Sequence, residues 1–486
     1  MTPPPEPPRD DLLYFNGIDG DTGQYLTPPL ALSDAIPLAS PAPDDRGVAY
    51  TRARSLSLLT RVFKGLPPEV DPLAPSSAGW AIVFPDSAPA ELRKALEPLI
   101  EHRRAQVAAQ RFKILEYKAG DTAVTWVKRH GGHLADVRPW VIPYYLLLVG
   151  GPDVIPFEFQ YLLGLEYAVG RLSFETAAEY LRYAESVVAY EASQDVPTAR
   201  EAVFWGTRHD GDQATALSAE HLLGPLCNGL PAGVDVEQPP VCKPHGFRAR
   251  CFLGDDATKA NLADVLHGRG PSRPSLLFTA SHGVGWKKGD PRQERAQGAL
   301  LCQDWSGFGA CAPEDYLSGD DIADDAQFHG LVAFLFACHG AGTPLHSDFV
   351  QDRKALAPAI ADRPFVAALP RRLLSHPSGS ALAVIAHVER VWSFSIKPLN
   401  GLPQIGAFRN CLGRILAGQP VGHAARDFSH RYSALSTVLT SALDSTRTGD
   451  KLDERELVNA WIERNDAQGY VTLGDPAARL RVDKLK

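Results

Sequence analysis

Two residues able to do covalent chemistry close apolar runs of this 486-residue chain, and each is followed by a glycine-rich turn. The first run reads Leu276-Leu-Phe-Thr-Ala-Ser-His282-Gly283-Val-Gly285 and the second Val332-Ala-Phe-Leu-Phe-Ala-Cys338-His339-Gly340-Ala-Gly342. A thiol becomes a useful nucleophile at neutral pH when a base such as imidazole takes its proton. Glycine after each lets the backbone turn, so that the N–H groups of Gly283 and Cys338 can face a substrate carbonyl as an oxyanion hole. Neighbours on a strand point to opposite faces, which disfavours Ser281 as the nucleophile and His339 as the base. A third run, Ala383-Val-Ile-Ala-His387-Val-Glu389-Arg390-Val-Trp392, ends in polar and aromatic residues in the same way.

The elements that must position these residues read as alternating strands and helices. Short, mostly apolar strands begin at Trp80, Phe112, Tyr144, Ala202, Ser275, Leu331 and Ala381, with helical stretches over 91–109, 123–130 and 176–191. Continuous apolar strands separated by helices predict a parallel sheet covered on both faces. Catalytic groups in such sheets gather at the carboxyl ends of strands. The chain divides into an irregular, proline-rich and acidic segment over 1–77, a first α/β region over 78–242, and a second over 243–486 that carries Cys338 and His282.

Composition narrows the function. A net charge of −8 and no basic stripe argue against nucleic-acid binding. No apolar run is long enough to span a membrane, and the start has no apolar core of a secretory signal, so a cytoplasmic protein is expected. Seven irregularly spaced cysteines without a Cys-x-x-Cys pair signal neither a disulfide framework nor a zinc site. No metal or organic cofactor is needed by the chemistry above. Calcium is a weak option at Asp320, Asp321, Asp324 and Asp325, which also suit an exposed helix start.

At these motifs the sequence resembles the caspase-fold cysteine peptidases of clan CD, and the gingipain-like family most closely. Leu146-Leu-Leu-Val-Gly-Gly-Pro-Asp-Val-Ile-Pro156, Glu166-Tyr-Ala-Val-Gly-Arg-Leu-Ser173 and Thr472-Leu-Gly-Asp-Pro476 look like further segments of that family, in the same order. The resemblance implies a caspase-like three-layer α/β/α sandwich with mostly parallel central sheets in two side-by-side subdomains. It implies Cys338 as nucleophile, His282 as base, and a protein or peptide substrate cut preferentially after Arg or Lys. It also implies a substrate-binding wall at Trp392 and an acid at the base of the primary pocket, where Asp212 aligns with Asp210 close behind and Glu389 as a rival. An Asp-Gly-Asp run fits an ordinary solvated turn as well. The family's acid that orients the histidine has no clean match; Arg208, His209 and Asp210 stand in that region.

Two departures from the family raise further expectations. The segment between His282 and Cys338 is long and reads as a lid, exosite or processing loop. An unrestrained peptidase would endanger its cell, so latency is expected: residues 1–77 would block the cleft, released by processing at Arg52, Arg54, Arg61 or Lys64 or by an activating protein partner. The competing reading is a catalytically silent interaction module on the same fold.

Overall fold

The computed structural model describes residues 12–35, 46–60, 64–230, 238–347, 359–391, 396–397, 404–447 and 454–486. Ten strands form its centre: β1 (Trp80–Pro85), β2 (Phe112–Tyr117), β3 (Tyr145–Val149), β4 (Ala168–Leu172), β5 (Ala199–Gly206), β6 (Arg248–Leu253), β7 (Pro274–Ala280), β8 (Val332–Phe336), β9 (Ala383–His387) and β10 (Tyr470–Gly474). They lie in the order β2-β1-β3-β4-β10-β9-β8-β7-β5-β6. Every pairing within this sheet is parallel except β9 with β10. The architecture is the expected α/β fold around a mostly parallel sheet, with both halves joined in a single ten-stranded sheet where two side-by-side subdomains were expected. The antiparallel seam reverses strand direction, so the carboxyl ends of the two halves lie at opposite edges.

The apolar runs become strands because both faces are covered. Strands β1, β3, β4, β7, β8 and β9 are buried at every position, as expected for a sheet packed on both sides. The predicted helix over 91–109 is two helices, Ala90–Ala95 and Glu97–Gln106, and Pro98 starts the second. Proline is favourable in a first helical turn and disruptive inside one. The Gly474-Asp475-Pro476 run closes the sheet: the buried Asp475 carboxylate accepts from Arg103 at 2.6 Å and from the Trp80 indole at 3.0 Å. Strand β5, read from sequence as part of the first region, pairs with β6 and β7 of the second.

The N-terminal segment is more ordered than its composition suggests. Arg46–Thr60 is a helix packed on the helix Arg426–Arg447, with Arg52 paired to Asp444 and Arg54 to Glu166. Two of the expected processing arginines are thus held in ion pairs on a helix; Lys64 is exposed, and Arg61 lies outside the described residues. Cys227 and Cys251 form a disulfide that irregular cysteine spacing did not reveal, because the pairing follows from helix Gly224–Asn228 packing on β6. Among the described residues, no helix is long and apolar enough to cross a membrane.

Candidate active site

Register carries Cys338 and His282 to one place. Leu276 to Ala280 of β7 pair with Val332 to Phe336 of β8, so the two functional residues leave their strands side by side. The β7/β5 boundary is also where chain order reverses along the sheet, the usual place for a binding crevice. Both residues are fully buried. Gly283 presses so closely on the Cys338 backbone that a β-carbon there would come within 1.9 Å of the Cys338 carbonyl oxygen. This contact brings together the two backbones expected to form the oxyanion hole, and it explains why only glycine fits after the histidine.

Asp212 supplies the orienting group that the sequence left open. It caps the helix Gln213–Ser218, which begins in the loop after β5, accepting from the N–H groups of Ala214 and Thr215 and from the Thr215 hydroxyl. Its Oδ2 lies 2.6 Å from His282 Nε2, and the Tyr25 hydroxyl donates to Oδ1. Burial opposes ionisation here. The His282 charge, present when the ring is protonated, and the hydrogen bonds from His282, Thr215 and Tyr25 outweigh it, and they hold the carboxyl well below the usual carboxylate range. The expectation of Asp212 at the floor of a substrate pocket therefore gives way to a different position: its carboxylate is turned to the histidine and fully engaged. The N-cap spacing Asp212-x-x-Thr215 was the available signal, since a capping carboxylate is held rigidly by its own helix.

The other residues of that loop face elsewhere. Arg208 pairs with Glu220 at 2.8 Å on the surface, and Asp210 is exposed. His209 is buried edge-on against Trp305, with ring centroids 5.2 Å apart; burial first, then the nearby His282 charge, pushes its pKa down to about 4. Glu389 stands beside the site with its carboxylate accepting from the Ser347 hydroxyl at 2.5 Å and from Arg390 at 3.2 Å. Its φ of 65° lets its carbonyl accept from the His339 N–H, while the His339 ring is buried against Thr343. Trp392 lies outside the described residues.

A peptide bond of the chain itself occupies the centre. The Cys338 thiol donates to the Asn16 carbonyl, and the Gly17 N–H donates to His282 Nδ1 at 2.8 Å. That bond leaves Nδ1 unprotonated and places the ring proton on Nε2, facing Asp212. The Asn16 N–H donates to the Val391 carbonyl at 3.0 Å, and the Val391 N–H donates to Cys338 Sγ at 3.1 Å. Beyond Gly17, Ile18–Asp19 adds a strand to a small sheet made of Gly283–Gly285, Ala299–Leu301 and Tyr316–Leu317. The long segment between His282 and Cys338 thus grips the N-terminal segment. Burial, only partly offset by the Val391 N–H, pushes the Cys338 thiol up to about 12.

Three of the four aspartates considered for calcium are in ion pairs: Asp320 with Arg295, Asp321 with Lys259, and Asp324 with Arg372. Among the described residues no group of three or more His, Cys, Asp or Glu side chains is placed to hold a metal ion.

No family model matches the chain, and no curated protein matches it. Solved structures do show similarity. The Arg-specific cysteine proteinase gingipain R is 13% identical, with 83% of this chain and 79% of that chain covered at a TM-score of 0.46. The complex of the pro- and mature domains of RgpB from Porphyromonas gingivalis is 13% identical over 83% of this chain and 80% of that one, at a TM-score of 0.45. The separase–securin complex of Saccharomyces cerevisiae is 9% identical over 72% of this chain and 16% of that chain, at a TM-score of 0.27.

Proposed function

We propose that the chain is a cysteine endopeptidase with Cys338 as nucleophile, His282 as general base and acid, and Asp212 as the residue that orients His282. The observation that carries this reading is the arrangement of one peptide bond between the two reactive groups: carbonyl on Cys338 Sγ, amide nitrogen on His282 Nδ1. In turnover the Cys338 proton passes to Nδ1, the thiolate attacks the substrate carbonyl carbon, and the Gly283 and Cys338 N–H groups receive the developing oxyanion. His282 then returns the proton to the leaving amine. Water, activated by the same imidazole, releases the acyl group from sulfur. Asp212 holds the tautomer that leaves Nδ1 free for both transfers.

The same geometry supports latency. Residues 16–19 lie across the site against Cys338, His282 and the Gly283–Gly285 strand, where a substrate would bind, and the Cys338 thiol is fully buried with its pKa raised. Displacement or cutting of this segment, or an activating protein partner, would open the site. A preference for Arg or Lys at P1 would draw on Glu389, since Asp212 is committed to His282.

The test is an assay of the full chain and its Cys338→Ala variant on peptides with Arg, Lys, Asp, Asn and Leu at P1, before and after limited proteolysis. Cleavage by the native chain alone supports the reading. Absence of cleavage by both under every condition overturns it.

A further inference from the structure

The segment in the cleft is threaded as a substrate, and its residues say which substrate. Three atoms of the Asn16–Gly17 unit meet three different parts of the machinery: the Asn16 N–H meets the Val391 carbonyl, its carbonyl oxygen meets Cys338, and the Gly17 N–H meets His282. Downstream, Ile18 and Asp19 pair with Val284 and Gly285. A segment that merely plugged a cleft would have no reason to place its backbone in register on both sides of the nucleophile. We infer that Asn16–Gly17 is the enzyme's own cleavage site, and that the primary pocket takes an asparagine carboxamide rather than a cationic side chain.

The side chains agree with this assignment. Asn16 is fully buried. The residues just before Val391 form a buried polar group with Ser347, in which Glu389 accepts from both Ser347 and Arg390. That group offers a carboxylate, a hydroxyl and a guanidinium beside Cys338, whose thiol feels the charges of both Arg390 and Glu389. A carboxamide is neutral and both donor and acceptor, whereas an arginine beside Cys338 would bring a second cation near Arg390. Gly17 is required on the leaving side. Its φ is +115°, and a β-carbon there would come within 3.1 Å of Cys338 Sγ. The following turn, in which the Gly17 carbonyl accepts from Leu26, returns the chain over the site and brings Tyr25 to Asp212.

The reaction balances with water alone. The Cys338 sulfur bonds to the Asn16 carbonyl carbon, the carbon–nitrogen bond breaks, and the thiol proton leaves through His282 on the new Gly17 amine. Water then cleaves the thioester, giving an Asn16 carboxylate and a free thiol. The elevated thiol pKa makes this first cut slow, and it is the step that a loosened segment would accelerate.

The inference rests on the peptidase reading, and the experiment separates the two. The full-length chain is incubated at neutral pH, and the N-terminus of the product is read by intact mass and Edman sequencing. The Cys338→Ala, Asn16→Arg and Asn16→Ala chains are treated alongside. The incubated native protein is also given acetyl-Leu-Tyr-Phe-Asn-aminocoumarin, which copies residues 13–16, and its Arg counterpart. A product beginning at Gly17 from the native chain and not from Cys338→Ala is expected, formed about tenfold or more slowly in both Asn16 variants, with the Asn peptide cut at least about tenfold faster than the Arg peptide. Three results overturn the inference. One is a Gly17 fragment formed equally by Cys338→Ala, which marks spontaneous Asn-Gly breakdown. Another is faster cutting of Asn16→Arg or of the Arg peptide, which leaves the peptidase reading standing with a cationic pocket. The last is an uncut chain, and if no peptide of any kind is cleaved after limited proteolysis either, the peptidase reading falls with it.

Discussion

The two halves of the sheet present the same kind of edge to different ends. In the first half, the carboxyl ends of β1, β3 and β4 border a cavity of about 490 Å³ lined by Gly151, Ser173, Glu175, Arg363 and Arg371. In the second half, β5, β7 and β8 end in Asp212, His282 and Cys338, and the chain's own N-terminal segment fills the space between them. Each half also buries a charge at its edge. Arg171 at the end of β4 donates to Gln160, the Gly150 carbonyl and the Pro156 carbonyl, a closed set in which every partner is a permanent acceptor. Asp212 instead spends one oxygen on a group that gains and loses protons. The difference teaches that parallel strands build a place for chemistry at both edges, and that the partner of the buried charge decides whether the edge is a brace or a site.

The comparison breaks first at the nucleophile. Cys338→Ala should remove peptidase activity by about 10⁴-fold or more, since no other described group stands at the carbonyl. Thermal unfolding of the same variant should stay close to native, because alanine leaves the buried backbone contacts of Gly283 intact. A variant with retained turnover would transfer the chemistry to another residue and end the contrast between the edges.

Asp212→Asn comes next. The amide keeps much of the capping geometry but no longer fixes the Nε2–H tautomer of His282, so kcat should fall about 10²-fold or more. The loss should be the same for Asn, Arg, Lys and Leu at P1. A loss confined to Arg and Lys peptides would return Asp212 to the substrate pocket where the sequence first placed it.

Much of this contrast was legible in the chain. His282 and Cys338 could be read because a buried strand leaves its last residue at a fixed place, and glycines after both announced a backbone in close approach. The strands of the first half were equally clear, since Tyr145–Val149 and Ala168–Leu172 have no polar interruption besides the braced Arg171. Asp212 was found with a different partner expected. Its sequence neighbours describe a turn, whereas its contact with His282 comes from the strand register of β5 against β7, which is set 70 residues away. Asn16 and Gly17 were invisible for a deeper reason. Nothing local distinguishes them in a proline-rich segment, and their meaning exists only through contacts with His282 and Cys338 more than 260 residues downstream.

On the other edge, Arg171→Met should cost about 3 kcal/mol of stability. It removes three hydrogen bonds of a buried guanidinium, each worth roughly 1 kcal/mol, while the Pro156 carbonyl keeps the Phe159 N–H. Burial already pushes the Arg171 guanidinium down to about 10, so the charge is held by its acceptors and not by a carboxylate. Denaturant titration should show the loss, while kcat per folded molecule stays within about twofold. A large fall in kcat at unchanged stability would mean that the first edge takes part in catalysis and would collapse the distinction drawn between them.

The smallest effect reports on the segment that fills the Cys338 edge. With Cys338 raised to about 12 by burial, its thiolate fraction near neutrality is far below that of an ordinary thiol, whose pKa is about 8.5. Alkylation of Cys338 in the intact chain should therefore rise about tenfold per pH unit throughout pH 7–10, without a plateau. The folded pKa lies above the unfolded one, so the neutral thiol's contribution to stability is complete below pH ~8.5 and is lost as pH climbs toward 12. Tyr25→Phe removes the hydroxyl that ties the segment to Asp212, a bond worth about 1 kcal/mol. Alkylation in that variant should be about fivefold faster at pH 7.5 and keep the same slope, because the segment opens more often while the closed thiol is unchanged. An early plateau near pH 8.5 in the native chain would show that the thiol is reached in an already open cleft, and the occupied edge would then be a minor state of the molecule.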